Sequence, residues 1–125
     1  MFDKILVPVD GSRASSRAVH VAADLASRFG AEVIVLHVHE HEYIYGVDAA
    51  PEKLDEAVDL VDHHVRSMKD SGLSARGAVV SRPFGRTDRA IPDAVDEENI
   101  DLIVIGTRGL SDRIRLLLGS VAHKV

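Results

Sequence analysis

Residues 5–12 read Ile-Leu-Val-Pro-Val-Asp-Gly-Ser, an apolar run that ends in turn-forming residues. Three further apolar, β-branched runs follow along the chain, at residues 33–38, 78–80 and 102–105. The runs are continuous rather than alternating, which indicates strands that are covered on both faces. Because the longer segments between them carry helical spacing, the order βαβαβαβ predicts an α/β fold, an open parallel sheet with helices on both faces.

The segments between these runs repeat apolar residues at steps of three and four. The first predicted helix begins after Ser12, a residue that caps helices well, and ends at Gly30. The second is predicted over about residues 51–71. The third, over about residues 87–98, contains Pro92, so we expect it to start late or to kink.

The composition indicates one ordinary globular domain over residues 1–125. The chain is 46% hydrophobic, 28% charged and 4% aromatic, which excludes disorder and fibrous repeats. Its net charge of −5 removes the electrostatic drive towards nucleic acid phosphates or an anionic membrane surface. No apolar stretch approaches the roughly 20 residues that cross a bilayer, so we expect neither a nucleic acid nor a membrane as partner.

Cysteine does not occur in the sequence. Its absence excludes disulfides, thiolate zinc sites, iron–sulfur clusters and cysteine nucleophiles. Any chemistry must therefore come from oxygen, nitrogen or backbone groups. The composition is compatible with a reducing compartment, and we expect a cytoplasmic protein.

A glycine-rich segment follows the last apolar run. It contains Gly106 and Gly109, then nine residues, then Gly119 and Ser120. In open α/β sheets ligands bind beyond the carboxyl ends of the strands, where glycines let backbone N–H groups approach a phosphate. At the end of the first run, Asp10 offers a carboxylate that could accept from a ribose diol. Taken alone, Asp-Gly-Ser after a strand is more often a helix cap, but the two features together suit a polyphosphate.

The spacing differs from the two common nucleotide motifs. The chain has neither G-x4-G-K-[ST] nor G-x-G-x-x-G, so a P-loop NTPase and the usual dinucleotide fingerprint are not supported. Neither a Ser-His-Asp triad nor a carboxylate pair can be defended from spacing, and no catalytic residue is predicted.

Several stretches together resemble one known family. They are residues 5–12, the strand end Leu-His-Val at 36–38, the block Asp-Leu-Ile-Val-Ile-Gly-Thr-Arg-Gly at 101–109, and the G-x2-G-x9-G-S spacing. Over nearly the whole chain this pattern resembles the universal stress protein family. The resemblance implies a Rossmann-like fold with strand order 3-2-1-4-5, usually as a homodimer. It also implies the nucleotide-binding branch, because the branch without ATP lacks this glycine spacing.

The resemblance implies where each part of a nucleotide would bind. Pro8 and Val9 would line the adenine, and the backbone around Val38 would hold the adenine edge. Asp10 and Gly106 would lie near the ribose. The complete set of predicted binding residues is Pro8, Val9, Asp10, Val38, Gly106, Thr107, Arg108, Gly109, Gly119, Ser120 and Val121.

The phosphates would be cradled by Gly109, Gly119, Ser120 and Val121. The forked donors of Arg108, Arg113 and Arg115, which flank the glycine segment, could pair with them, and a solvated loop with ordinary surface arginines is an equal alternative. ATP is the expected nucleotide, with ADP or AMP as alternatives. Mg²⁺ or Mn²⁺ would be held mainly by phosphate oxygens and water, and no metal ligand from the protein is predicted.

The carboxyl-terminal part departs from the family pattern. Family members complete a fourth helix and add a fifth strand, through which two subunits often pair. We expect residues 119–125 to open the fourth helix and the fifth strand to be missing. Either the sequence is a fragment, or the fourth strand is an edge that invites another chain to pair with it.

Histidines alternate along the predicted end of the second strand. His37, His39 and His41 would project to one side if the strand persists. A metal site is one hypothesis, but it lacks a fixed fourth ligand, so we favour a polar strand end beside the adenine pocket. The polar stretch at residues 39–50 is predicted to be an irregular loop.

These observations predict a cytoplasmic, ATP-binding regulatory domain of the stress response. The nucleotide would order residues 106–120 and so alter a surface that binds a protein partner of unknown identity. One alternative is a weak ATPase or phosphotransferase that uses the same pocket, with at most slow hydrolysis. The other is a nucleotide-free interaction module of the stress response, in which the glycine loop is merely structural.

Overall fold

The structure is a computed structural model that describes residues 2–107 and 113–119. These residues form seven strands and three helices. In chain order they are β1 (Lys4–Pro8), α1 (Arg13–Phe29), β2 (Glu32–His41), β3 (Tyr43–Ile44), β4 (Val47–Asp48), α2 (Leu54–Asp70), β5 (Ala75–Pro83), α3 (Ala90–Glu98), β6 (Leu102–Gly106) and β7 (Ile114–Leu118).

The main sheet has the strand order β5-β2-β1-β6-β7. Its first four strands are parallel and correspond to the four apolar runs of the sequence. Both the α/β fold and the order 3-2-1-4 of these strands are therefore confirmed. The helices α1 and α2 cover one face of the sheet, and α3 covers the other.

The core lies on both faces of the sheet, which explains why the apolar runs are continuous. On β1, Ile5 and Val7 pack under α1 and α2, whereas Leu6 packs under α3. All three side chains are fully buried. Since burying an aliphatic side chain of this size stabilises the fold by about 1.5–3 kcal/mol, both layers contribute strongly.

The helix ends follow the predicted signals. The Ser12 Oγ accepts from the Ser15 N–H at 3.1 Å, and Gly30 ends α1 in the left-handed conformation with φ of 68°. The third helix starts only at Ala90, which confirms the predicted late start. Pro92 is tolerated because first-turn N–H groups have no partner within a helix. Within the described residues, no helix combines the length and the apolar character that a membrane span requires.

The fifth strand is the main difference from the sequence prediction. β7 pairs antiparallel with β6, from Leu102 opposite Leu118 to Gly106 opposite Ile114. The alternative in which the fourth strand is an edge was therefore wrong. Because β7 comes before Gly119, it is not the strand that family members add after a fourth helix, and the absence of that strand stays a prediction. The unpaired side of β6 needs hydrogen-bond partners, and an apolar segment only a few residues away can supply them. Because a parallel return needs a crossover of a dozen or more residues, so short a connection leaves only the antiparallel direction.

The predicted loop at residues 39–50 is also more regular than expected. β2 continues to His41, and β3 and β4 form a hairpin. The tip of the hairpin, Tyr45 and Gly46, has φ values of 51° and 77°, the positive angles that a two-residue hairpin turn requires. The sequence signal was missed because a tyrosine rather than asparagine or aspartate precedes the glycine.

Candidate functional site

A tight turn links the carboxyl end of β1 to α1. The Val9 N–H donates to the Leu36 carbonyl at 2.8 Å, which continues the β1–β2 ladder past Pro8. The Asp10 Oδ1 then accepts from the Ser12 N–H at 2.9 Å, the local bond by which aspartate stabilises turns. The turn therefore delivers Asp10 to the edge of the sheet where ligands bind in open α/β folds.

Ser15 joins this turn to the first turn of α1. Its buried hydroxyl accepts from the Asp10 N–H at 3.3 Å and donates to the Ser12 carbonyl at 3.0 Å. The first turn of α1 carries no acidic side chain. The positive end of the helix dipole is thus directed to the end of β1, where it favours an anion.

Gly106 ends β6 directly against the same helix turn. A Cβ at this position would lie 2.3 Å from the Ala14 carbonyl oxygen. Only glycine permits so close an approach of strand and helix. The residue was predicted to lie near the ribose, and the structure gives it a packing requirement as well.

A cavity of about 210 Å³ opens where β1 lies between β2 and β6. The chain leaves β1 towards α1 on one face of the sheet, and it enters β6 from α3 on the other, so a crevice forms between the two covering layers. The lining combines polar residues, among them Asp10 and Ser15, with apolar ones. The lining residues are Pro8, Val9, Asp10, Ser15, Leu36, His37, Val38, Ile91, Ile105 and Gly106.

The predicted binding residues divide into those that the structure brings together and those that it does not. Pro8, Val9, Asp10, Val38 and Gly106 all line this one cavity. They come from three different strand ends that are distant in the sequence, so the structure gathers this part of the predicted set at one place.

Thr107 comes directly after the cavity and faces β7. Its N–H and its Oγ1 donate to the Arg113 carbonyl at 2.8 and 3.0 Å, which extends the β6–β7 pairing by one residue on each strand. Four further predicted residues lie outside the described residues: Arg108, Gly109, Ser120 and Val121.

Gly119 is not brought to the cavity. Its N–H donates to the Asp101 carbonyl at 2.8 Å, and a Cβ there would lie 1.8 Å from the Ile100 carbonyl oxygen. Because β7 runs antiparallel to β6, Gly119 lies beside the start of β6, whereas Gly106 lies at its end. At a strand rise of about 3.3 Å per residue, the two glycines are about 16 Å apart. The structure therefore does not bring Gly119, which was predicted to help cradle the phosphates, to the cavity.

Five lining residues were not in the predicted binding set, although His37 belongs to the strand end that was expected beside the adenine pocket. They are Ser15, Leu36, His37, Ile91 and Ile105. The residues Leu36 and Ile105 stand next to predicted positions at strand ends, so their proximity could have been anticipated. Ile91 comes from α3 on the opposite face, and no local signal indicates that it reaches the cavity.

The histidines of β2 bond to neighbouring segments rather than to one another. The His37 Nδ1 lies 2.6 Å from the Val9 carbonyl oxygen, and its Nε2 lies 2.8 Å from the Glu52 carboxylate. The His39 Nε2 lies 2.9 Å from the Glu52 carbonyl oxygen. His41 bonds Ser81 outside the cavity. Within residues 2–107 and 113–119, no group of three or more His, Cys, Asp or Glu side chains is arranged to hold a metal ion.

Among the other concavities of the described residues, two lie on α1 and α2. A crevice of about 280 Å³ between α1 and α2 contains His20, His63 and His64. Burial, followed by the neighbouring His63 and His20, lowers the pKa of His64. The larger depression, of about 430 Å³, is lined by polar residues of α2 alone, so it is a helix surface rather than a cleft between elements.

The sequence matches the universal stress protein family over residues 1–125. A Thermus aquaticus protein named as the universal stress protein in the QAH/OAS sulfhydrylase 3′ region is 35% identical over 130 residues, which cover 100% of this chain and 91% of the relative. The universal stress protein YxiE of Bacillus subtilis is 30% identical over 139 residues, which cover 100% of this chain and 92% of the relative.

Solved structures show the same similarity. A universal stress protein family member from Burkholderia pseudomallei superposes with a TM-score of 0.70 at 27% identity, covering 85% of this chain and 82% of that one. A universal stress protein from Archaeoglobus fulgidus, solved in complex with dAMP, superposes with a TM-score of 0.66 at 25% identity, covering 86% and 82%.

Proposed function

Because the chain belongs to the universal stress protein family, we propose that it is a regulatory domain that binds an adenine nucleotide, with ATP as the expected species. The site is the cavity at the carboxyl ends of β1, β2 and β6. The observation that carries the proposal is the convergence of Pro8, Val9, Asp10, Val38 and Gly106 on this cavity. The similarity to an Archaeoglobus fulgidus protein that holds dAMP supports an adenine nucleotide as the ligand.

The size and lining of the cavity suit the base and part of the sugar. A volume of about 210 Å³ is smaller than the roughly 300–1,000 Å³ of pockets that enclose a whole drug-sized ligand. The apolar side chains of Leu36, Ile91 and Ile105 offer a surface on which a planar base can lie. The triphosphate would extend out of the cavity.

The polar residues of the lining suit the ribose and the phosphates. Asp10 is exposed, and its carboxylate can accept from ribose hydroxyls. The amino end of α1 can receive the phosphates through its positive dipole, beside Gly106. Mg²⁺ or Mn²⁺ would be bound through phosphate oxygens and water. The phosphate roles of Gly109, Ser120 and Val121 stay predictions, as do the homodimer, the protein partner and the cytoplasmic location.

Nucleotide binding is tested by titration calorimetry with ATP, ADP and AMP, together with thermal unfolding. At a hundred times its dissociation constant the ligand stabilises the fold by about 2.7 kcal/mol. Asp10→Ala removes the acceptor for the ribose, so we expect roughly tenfold weaker binding. The matched control is Asp96→Ala, which removes another exposed acid, on α3 and outside the cavity lining, and should leave the affinity unchanged.

Failure of all three nucleotides to bind at millimolar concentration would overturn the proposal. Chromatography of the supernatant from heat-denatured, freshly purified protein identifies the species that the protein carries. Intact ATP in that supernatant supports a bound signal, whereas phosphate release that Asp10→Ala abolishes would favour hydrolysis in the same pocket.

A further inference from the structure

We propose that His37 is a positioning residue of the nucleotide cavity. One ring nitrogen holds the turn that carries Asp10, and the other holds the segment that leads into α2. The residue lies near the end of β2, is buried and lines the cavity. The inference rests on the proposed function, because the positioning matters for a bound nucleotide.

Both ring nitrogens of His37 are already engaged. The Nδ1 lies 2.6 Å from the Val9 carbonyl oxygen, which can only accept, so this nitrogen must donate. The Nε2 lies 2.8 and 3.0 Å from the two carboxylate oxygens of Glu52. The ring therefore has no nitrogen left for a ligand. It can affect binding only through the groups that it holds.

The first of these groups leads to Asp10. The Val9 carbonyl and the Asp10 N–H belong to one planar peptide group, so a bond that fixes the carbonyl also fixes the direction in which Asp10 leaves the strand. The Val9 N–H is held by the Leu36 carbonyl at 2.8 Å. β2 thus holds the last peptide groups of β1 at two points. The bond from Asp10 to Ser15 on the helix side is longer, at 3.3 Å.

The second group leads to Glu52, which lies between the β3–β4 hairpin and α2. Its carboxylate contacts His37, and its carbonyl lies 2.9 Å from the His39 Nε2. Ala50, two residues before it, is buried. Glu52 is therefore tied to β2 by its side chain and by its backbone, and it in turn keeps the His37 ring directed at Val9.

Two substitutions separate these roles. In the His37→Asn variant, the new side-chain amide lies near the position of Nδ1, so a donor to the Val9 carbonyl is kept. In the His37→Gln variant, the amide reaches further, so a hydrogen-bond partner of Glu52 is kept and the donor to Val9 is lost. Glu52→Ala removes the carboxylate that orients the ring. The control is His41→Gln on the same strand, where the ring bonds Ser81 and does not line the cavity.

The measurement is the dissociation constant of 2′,3′-dideoxy-AMP divided by that of AMP. This ratio reports how much the ribose hydroxyls contribute to binding through their hydrogen bonds to Asp10. We expect a ratio of roughly ten in the unmodified protein, since a hydrogen bond to a charged group is worth about that factor. His37→Asn and His41→Gln should keep the ratio. In His37→Gln it should fall to about one, and in Glu52→Ala to an intermediate value.

The outcomes are distinguishable. If the unmodified protein prefers AMP and a folded His37→Gln variant keeps that preference, the positioning role is overturned and the proposed function stands. If His37→Asn and His37→Gln lower the dissociation-constant ratio equally and the melting temperature equally, the ring only supports the fold. That result also overturns the positioning role. If the unmodified protein binds no adenine nucleotide, the proposed function fails, and the role of His37 fails with it.

Discussion

The two ends of β1 and β6 use the same kinds of residue for opposite purposes. At the carboxyl end, Asp10 and Gly106 border an open cavity. At the amino end, the Asp101 carboxylate accepts from the Asp3 and Lys4 N–H groups at 2.7 and 2.9 Å, and Gly119 packs beside it. An aspartate and a glycine near a strand end therefore do not indicate a ligand site by themselves.

The difference between the ends lies in what the backbone does there. At the amino end, the Asp101 N–H donates to the Lys4 carbonyl at 3.0 Å, and the Gly119 N–H donates to the Asp101 carbonyl at 2.8 Å. The main chain therefore fills the space beside the strands at this end. At the carboxyl end, the connections to α1 and α3 lie on opposite faces of the sheet, and a crevice remains.

The largest expected effect on stability at the two ends comes from alanine at the two glycines. An added Cβ would lie 2.3 Å from the Ala14 carbonyl oxygen at Gly106 and 1.8 Å from the Ile100 carbonyl oxygen at Gly119. Each substitution should lower the free energy of unfolding by about 3 kcal/mol, because backbone cannot move aside easily. Urea unfolding measures both losses.

Nucleotide affinity separates the two glycine variants. Gly106→Ala alters the wall of the cavity and should weaken AMP or ATP at least about tenfold. Gly119→Ala should leave the affinity of the folded protein within about twofold, since distant sites act independently. If Gly119→Ala abolishes nucleotide binding while the protein stays folded, Gly119 does not stay beside Asp101 when the nucleotide is bound. The predicted contact of Gly119 with the phosphates would then be supported.

A smaller effect is expected from the carboxylate that closes the amino end. Asp101→Ala leaves the Asp3 and Lys4 N–H groups without their acceptor and should lower the free energy of unfolding by about 2 kcal/mol. Asp101→Asn keeps an accepting oxygen, so it should lose less than half as much. Nucleotide affinity should not change in either variant. Equal losses in both variants would show that charge rather than hydrogen bonding secures this end.

The smallest effect concerns an ion pair near the same end. The hydrogen bond from Arg76 holds the pKa of Glu98 below its ordinary value of 4.5. The carboxylate therefore stabilises the fold above pH 4.5, and this contribution is lost as the pH falls through the lowered value. The Arg76 and Glu98 side chains are 41% and 31% exposed, so solvent screens the pair and its contribution should amount to less than about 1 kcal/mol. Unfolding of Glu98→Gln should differ from the unmodified protein at pH 7 and converge with it near pH 3.

The sequence predicted the parallel part of the sheet well, because each of its signals is local. The continuous runs identified β1, β2, β5 and β6, and the Ser12 and Gly30 caps placed α1 within a residue of its observed ends. The same local reasoning failed for β7. There the segment Ile-Arg-Leu-Leu-Leu was read as part of the spacing between two glycines rather than as an apolar strand.

For the candidate site, the sequence by itself determined the residues that end β1, β2 and β6. The carboxyl ends of neighbouring parallel strands must meet at one edge, so Asp10, Val38 and Gly106 had to come together. Only the tertiary structure decided that His37 bonds Val9, 28 positions away, that Ile91 closes the cavity from the other face, and that Gly119 lies at the opposite end. These contacts depend on which distant segments pack together and in which direction a strand pairs, and no short-range pattern in the chain encodes either.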